Sequence, residues 1–316
     1  MDRRRPVQHL PDDRGPGGDP RRLRRRHHPR VRRGEGVTAS PEELVRSWRA
    51  VAPGWERQAS LVRDATAALT DRLVALLDPR PGETILELAA GVGDTGFAAA
   101  ARLGAEGKLL STDVAPEMLA VAGRRAAELG VDNVEFRVLD ATSLDLPDAA
   151  VDGVLYRFGI MLVADPPRAL AEIARVLRPG GRISLAVWAA ADENDWMTAV
   201  GRAATELGLA ERPDPRAPGP FRFADVGELC GLLEQAGLDV ITVEDVPVRW
   251  HASSSDDWWA AVRDMSPMLN GLLEQISAEQ VTALRRSAEA LLARYAAADG
   301  SLTIPGLARA LLATRR

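Results

Sequence analysis

Thr84-Ile85-Leu86-Glu87-Leu88-Ala89-Ala90-Gly91-Val92-Gly93-Asp94-Thr95-Gly96 is the stretch that decides the fold. Its first five residues read as a short buried strand. A glycine-rich turn follows, and then the apolar helix Phe97 to Leu103. Gly91 to Gly96 fits G-x-G-x-x-G between a strand and a helix. Without side chains the chain can turn tightly and let a ligand approach the backbone at a helix N-terminus. The bland alternative is a glycine-rich connection with no ligand. The strand before it and the helix after it favour nucleotide-type binding.

Working outward, Lys108 to Thr112 reads as a second strand and Pro116 to Leu129 as a helix. Val134 to Leu139 and Val151 to Phe158 follow as strands, Pro166 to Leu177 as a helix, and Arg182 to Trp188 as a fifth strand after the turn Pro179-Gly180-Gly181. Strands alternating with helices at this spacing indicate a doubly wound α/β fold with a parallel sheet covered on both faces. Upstream, Ser40-Pro41-Glu42-Glu43 is a helix start, with Ser40 as cap, and a second helix is expected from near Gly54 to Leu77. Downstream, helices are expected near 195–208 and 225–236, then a strand from Val240 to Trp250. Two more helices are expected near 255–275 and 278–298, and a closing strand over 302–314.

The chain has 316 residues and a formal net charge of −5, but that total averages two unlike segments. Residues 1–36 hold twelve Arg against five acids, a balance of +7, and the other 280 residues stand at −12. The first segment has too few apolar residues to offset the entropy of ordering, and we read it as a disordered basic extension. An inert tail, or a start assigned upstream of a true one near Val37, is the expected explanation. The acidic body is a poor candidate for gripping phosphate backbones, so no nucleic-acid partner is read. Cys230 is the only cysteine, which excludes an internal disulfide and a cysteine zinc cluster, and no metal site is read. It is expected to be a small buried side chain. No apolar run reaches the roughly 18 residues of a membrane helix. A soluble, cytoplasmic protein is the default expectation.

The ligand is narrowed by acids. Asp113 follows Gly91 by 22 residues, at the end of the second strand, where a carboxylate can accept from ribose hydroxyls. That pairing alone does not separate NAD from S-adenosylmethionine (SAM). A P-loop is not viable, because no Gly-Lys-Ser/Thr follows the turn. Glu87 stands four residues before Gly91 and reaches toward an amino-acid end of the ligand rather than a pyrophosphate. Asp140 and Ala141 end the third strand, where an acid can accept from an adenine amine. Arg178-Pro179-Gly180-Gly181 turns the chain into the fifth strand.

Taken together, Glu87-Leu-Ala-Ala-Gly91-Val-Gly93, Asp113, Asp140-Ala141 and Arg175-Val-Leu-Arg-Pro-Gly-Gly181 resemble the cofactor motifs of class I SAM-dependent methyltransferases. The closest resemblance is to the ubiquinone/menaquinone-biosynthesis type. It covers 84–190 strongly and the remainder loosely. It implies a Rossmann-like, seven-stranded sheet whose last strand runs antiparallel. The expected organisation is an N-terminal helical lid over 37–80, a SAM-binding core over 81–190, and the rest of the sheet with a helical substrate-lid insert over 191–316. By position, Glu87, Ala89, Gly91 and Gly93 would hold the methionine part of SAM. Asp113 with Val114 would take the ribose, and Asp140 with Ala141 the adenine. Tyr156-Arg157-Phe158 would lie beside the methionine part and the transferred methyl. Ala89 departs from the usual first glycine of the motif, and Glu87 stands where many relatives have Asp.

The resemblance implies methyl transfer to a small, fairly apolar acceptor, with S-adenosylhomocysteine (SAH) as product. The body has one histidine, His251, the sharpest candidate for a base if the acceptor must lose a proton. Asp192, Glu193 and Asp195, after the fifth strand, are further candidates for a base, with a solvated loop or cap residue as the blander reading of each. All seven Trp lie in the body, and Trp55, Phe158, Trp188 and Trp196 are the expected pocket walls. Met161, Met265 and Met268 read as core filler. Two other classes stay open: a nicotinamide-dependent oxidoreductase, without the Tyr-x-x-x-Lys pair of short-chain enzymes, and a non-catalytic SAM-binding partner protein. A homodimer is the assembly left open.

Overall fold

Glycine and proline punctuate the chain where the elements begin and end. The structure is a computed structural model that describes residues 41–316, so the basic segment 1–36 and the Ser40 cap lie outside the described residues. Helices α1 (Pro41–Arg57) and α2 (Ala59–Leu77) come first. Then β1 (Thr84–Glu87), α3 (Asp94–Leu103), β2 (Lys108–Asp113), α4 (Pro116–Leu129) and β3 (Val134–Val138) alternate. Next come β4 (Val151–Arg157), α5 (Pro166–Val176) and β5 (Leu177–Trp188). Proline opens both α4 and α5, where its missing N–H costs no helical bond, and Gly130 ends α4 in the left-handed region.

The C-terminal third holds α6 (Asp195–Glu206), α7 (Val226–Gln235), β6 (Leu238–Ala252), α8 (Ser255–Met265), α9 (Pro267–Leu273), α10 (Ala278–Leu292) and β7 (Leu302–Arg315). The seven strands stand in the order β3-β2-β1-β4-β5-β7-β6. Pairings among β1 to β5 are parallel, and β7 runs antiparallel to both its neighbours. The last strand is therefore the reversed one, as expected. It forms although Leu307 to Ala310 favours a helix, because its slot between β5 and β6 buries Ala308, Ala310 and Leu311.

This order puts a switch point between β1 and β4. The chain winds outward from β1 through β2 to β3, then returns to β1's other side. The loops after β1 and β4 leave the sheet in different directions, and such a crevice is where doubly wound sheets bind ligands. Glu244 and Asp245 mark the two faces of β6. Arg72 of α2 pairs with Glu244, and Arg309 of β7 reaches Asp245 at 3.1 Å and the carbonyl of Ala224 just before α7.

Several boundaries differ from the sequence reading: β5 begins at Leu177 rather than Arg182, so the expected turn Pro179-Gly180-Gly181 lies within it as an irregularity in its pairing with β4. The first break between helices falls at Gln58, not near Gly54. Gly54 lies inside α1, and its bare Cα lets the Asp264 carbonyl come close, where a Cβ would overlap that backbone. The single helix expected over 255–275 is two. Ser266-Pro267 interrupts it, and the Ser266 hydroxyl caps α9 by accepting from Leu269 N at 3.1 Å. Helix α10 stops at Leu292 and yields to a 3₁₀ turn, Ala293–Tyr295.

Helix α1 bridges two parts of the molecule. Its buried Val51 and Ala52 pack on Ala115 and Met118 at the start of α4. Arg49 pairs with Glu117, and Glu56 with Arg124. Toward α8, Arg57 and Gln58 hold Asp264, and Trp55 Nε1 donates to the Met265 carbonyl at 3.2 Å. The charged pairs are exposed and each contributes little, so apolar burial carries the contact.

Candidate cofactor and acceptor site

The glycine turn is held from beneath by one carboxylate. Glu87 ends β1 fully covered, and its two oxygens accept from Gly96 N at 2.7 Å and Ser111 Oγ at 2.9 Å. Gly96 must lack a side chain, because a Cβ there would overlap Glu87 Oε2. Burial pushes the Glu87 carboxyl up to about 7, against the opposing pull of Ser111, Gly96 and Arg157. Glu87 was expected to reach the ligand. Its oxygens engage Gly96 and Ser111 of the protein itself, one bond each, and each oxygen can accept a second.

Backbone shape does the rest. Ala89, Gly91 and Gly93 all lie at positive φ, at 49°, 56° and 92°. No atom lies within 4 Å of where a Gly91 Cβ would stand, so that side of the turn is open. A Cβ on Gly93 would strike the Phe97 ring. Asp113 braces the turn from β2, with its two oxygens accepting from Gly91 N and Ala115 N, each at 2.9 Å. Burial raises the Asp113 carboxyl above its usual range, and the N–H groups of Ala115, Gly91 and Val114 counter that rise. Each carboxylate oxygen can accept a second bond, so Asp113 keeps capacity for ribose hydroxyls.

Asp94 and Thr95 open α3. Asp94 Oδ1 pairs with Arg125 Nη2 at 2.6 Å, and Arg125 also donates to the Val92 carbonyl. Asp94 Oδ2 and Thr95 Oγ1 are buried without a partner among the described residues. Buried polar atoms are nearly always satisfied, so both atoms keep capacity to bond a ligand or water. At the end of β3, Asp140 is exposed and accepts from Thr142 N and Oγ1 at 2.8 Å, while Ala141 is buried. Tyr156 is buried on β4, and burial, then Asp140 and Asp113, raise its phenol well above the ordinary value.

The loop after β4 meets the loop after β1. Gly159 lies against the Tyr156 ring and the Ala89 methyl, and a Cβ there would overlap the ring. Phe158 has φ 59°, an uncommon conformation for an aromatic residue, fixed by its N–H bond to the Ala186 carbonyl at 2.9 Å. Its ring stacks on Trp188 at 3.9 Å between centroids. Trp188 lies 6.3 Å from Trp250, which stacks on Trp196 at 5.0 Å. A column of four rings thus runs along the carboxyl ends of β4, β5 and β6 into α6.

The structure therefore brings Phe158, Trp188 and Trp196 together, with Trp250 completing the column. Trp55 lies elsewhere, on Trp48 and against Ala59, Val92 and Val121. His251 is exposed, with Nδ1 3.4 Å from Thr303 Oγ1, and it alternates with Trp250 along β6, so the two leave opposite faces. It does not join the ring column. Asp195, read as solvated, is buried and bonds Arg202, Arg294 and Tyr295. Asn194 accepts from Leu307 N and donates to the Leu307 carbonyl, both at 3.0 Å, pinning the start of α6 to β7. Met161 is buried as expected, but Met268 is 68% exposed. Cys230 is only half-buried. Ser111, Asn194, Thr66 and Thr70 carried no motif signal. A Thr pair four apart on an apolar helix face was the only trace of the last two.

The model of the ubiE/COQ5 methyltransferase family matches residues 67–193. A ubiquinone/menaquinone biosynthesis C-methyltransferase UbiE of Acidiphilium cryptum is 44% identical over 110 residues, which cover 34% of this chain and 43% of that protein. A 27-O-demethylrifamycin SV methyltransferase of Amycolatopsis mediterranei is 28% identical over 229 residues, 72% of this chain and 78% of that one. The crystal structure of the [4+2]-cyclase SpnF shares the fold at TM-score 0.55 and 20% identity, covering 90% of this chain and 99% of that one. The chain spans under half the length of the ubiquinone- and menaquinone-type relatives it matches. Among the described residues, no helix is long and apolar enough to cross a membrane.

Proposed function

We propose that this chain, which is similar to the ubiE/COQ5 methyltransferases, is a class I SAM-dependent methyltransferase that moves a methyl group from SAM to a small, fairly apolar acceptor by in-line displacement and releases SAH. The observation that carries the reading is the β1–α3 turn. It joins an open face at Gly91 to two orphaned buried oxygens, Asp94 Oδ2 and Thr95 Oγ1. A zwitterionic amino-acid tail, with donors and acceptors on one carbon, fits such a turn. The family match favours this over a nicotinamide-dependent oxidoreductase.

In this reading the turn Ala89 to Gly93, with Arg157, receives the methionine part of the cofactor. Asp113 and Val114 take the ribose, and Asp140 with Ala141 the adenine. Bound SAM supplies an activated methyl on a sulfonium, so the protein's task is to align the acceptor and keep water away. Phe158, the partly exposed end of the ring column, offers the apolar face against which the acceptor lies, while Trp188, Trp250 and Trp196, expected as pocket walls or found beside them, are buried in the core and back it. Helices α1 and α2 serve as the lid, α1 resting on Ala115 and Met118 just past Asp113. Displacement needs a base only when the acceptor loses a proton during attack. His251 stands outside this arrangement, and Trp55 braces the lid.

The test is transfer of labelled methyl from SAM into organic-extractable acceptors, such as hydroquinones, phenols and macrocyclic alcohols. The proposal expects label in at least one product and loss of most of it in Phe158→Ala. Stoichiometric SAM binding with no transfer to any acceptor would instead support the non-catalytic partner reading.

A further inference from the structure

Few polar side chains of α2 face the sheet, and two of them meet one guanidinium. Thr66 and Thr70 stand one turn apart on α2, on the same face. Arg157 Nη1 donates to Thr66 Oγ1 at 2.7 Å and reaches Thr70 Oγ1 at 3.4 Å. Thr66 is buried, and its hydroxyl proton is committed to the Val62 carbonyl at 2.7 Å. Only the lone pairs of Thr66 Oγ1 are left to face Arg157, which is the polarity a guanidinium requires.

Arg157 itself is placed with care. It stands at the end of β4, with Asp94 and Glu87 as attracting neighbours and Arg125 as a repelling one. Its Nε and Nη2 donors have no protein partner among the described residues. A long, flexible side chain binds a carboxylate well only when its planar fork is already aimed, because each rotamer frozen on binding weakens affinity.

We infer that Thr66, backed by Thr70, is a positioning residue for cofactor binding: the two hydroxyls of α2 anchor one end of the Arg157 guanidinium so that its remaining N–H donors are presented to the carboxylate of the cofactor's amino-acid tail. The inference rests on the reading that Arg157 meets that tail. It also makes α2 part of the cofactor site rather than only a cover for the sheet. A merely structural Thr66 would satisfy a half-buried arginine and no more.

The experiment is a calorimetric double-mutant cycle with SAH on the full-length protein. It compares wild type, Thr66→Val, Thr66→Ser, Arg157→Met and the Thr66→Val/Arg157→Met pair. Val matches the shape of Thr without the hydroxyl. Thr66→Val is expected to weaken SAH roughly tenfold, the scale of a hydrogen bond to a charged group. Thr66→Ser should stay within about twofold of wild type, since it keeps the lone pairs. In the Arg157→Met background, Thr66→Val should have no further effect. Equal losses in both backgrounds, or unchanged binding in Thr66→Val, overturn the positioning role. Wild-type-like binding by Arg157→Met overturns the role of Arg157, and a wild type that ignores SAH overturns the cofactor reading itself. If Thr66→Val fails to fold, Thr70→Val carries the test, with a loss of about two- to threefold expected and no loss overturning the claim.

Discussion

Phe158 lies face to face with Trp188, their ring centroids 3.9 Å apart and their planes 11° from parallel. The contact joins the end of β4 to the end of β5 just beside the glycine turn, at a residue whose φ of 59° is uncommon and is held by its N–H bond to the Ala186 carbonyl. Strain kept next to a candidate site points to a demand on ring placement. Phe158→Ala should keep SAH affinity within about twofold and lower kcat/KM for the acceptor by at least about tenfold, the scale of one lost aromatic contact. Equal losses in cofactor and acceptor binding would place the ring on the cofactor side instead.

The open face of Gly91 makes a sharper separation between fold and binding. Gly91→Ala should cost about 1 kcal/mol of stability from the left-handed backbone alone. Its methyl would enter the space that no protein atom occupies. SAH affinity should therefore fall more steeply than stability, which thermal melts and calorimetry on the same preparation would compare. A variant that melts lower yet binds SAH unchanged would mean that the cofactor does not use this face.

Glu87 gives the chain a pH signature. Its carboxyl is raised by burial to about 7 in the folded protein, from 4.5 as the ordinary value. Below about pH 4.5 both folded and unfolded states hold the proton, and nothing is lost. Between about 4.5 and 7 the unfolded state releases it first, so stability falls as pH rises, by about 3 kcal/mol in full. Above about 7 the penalty is constant. Asp113, also raised by burial, adds to the same trend. Urea denaturation from pH 5 to 8 should show this decline, and Glu87→Gln should flatten it. A decline of the same slope in the variant would remove Glu87 as its source.

His251→Gln should leave methyl transfer within about twofold of wild type, because the imidazole is exposed and leaves the face of β6 opposite Trp250. Turnover measured across pH 6 to 9 checks this. A large loss, with the acidic limb of the profile abolished or displaced, would restore His251 as a base.

The strand–turn–helix order was legible because it is written in neighbouring residues. Period, glycine and proline place β1 to β4 within a few positions and β5 at its end but not its start, and the motif spacing singles out Glu87, Gly91, Gly93 and Asp113. What stayed hidden depends on partners distant in sequence. Gly54 reads as a helix breaker until the Asp264 backbone is seen against it. Asp195 reads as a solvated loop acid until Arg294 and Tyr295 arrive from a hundred residues away. Thr66 and Arg157 are 91 residues apart, and no local pattern joins them. The ring column shows the same limit. The rings are visible in the chain, but the pairing of Trp250 with Trp196 and the separate place of Trp55 on α1 are not.

The central claim is that the β1–α3 turn holds a SAM-type cofactor, and calorimetric titration of the full-length protein with SAH tests it most directly. The account predicts one saturable site per chain, displaced by SAM, weakened in Gly91→Ala and indifferent to NADH. Absence of SAH binding, or NADH competing for the same site, would contradict it.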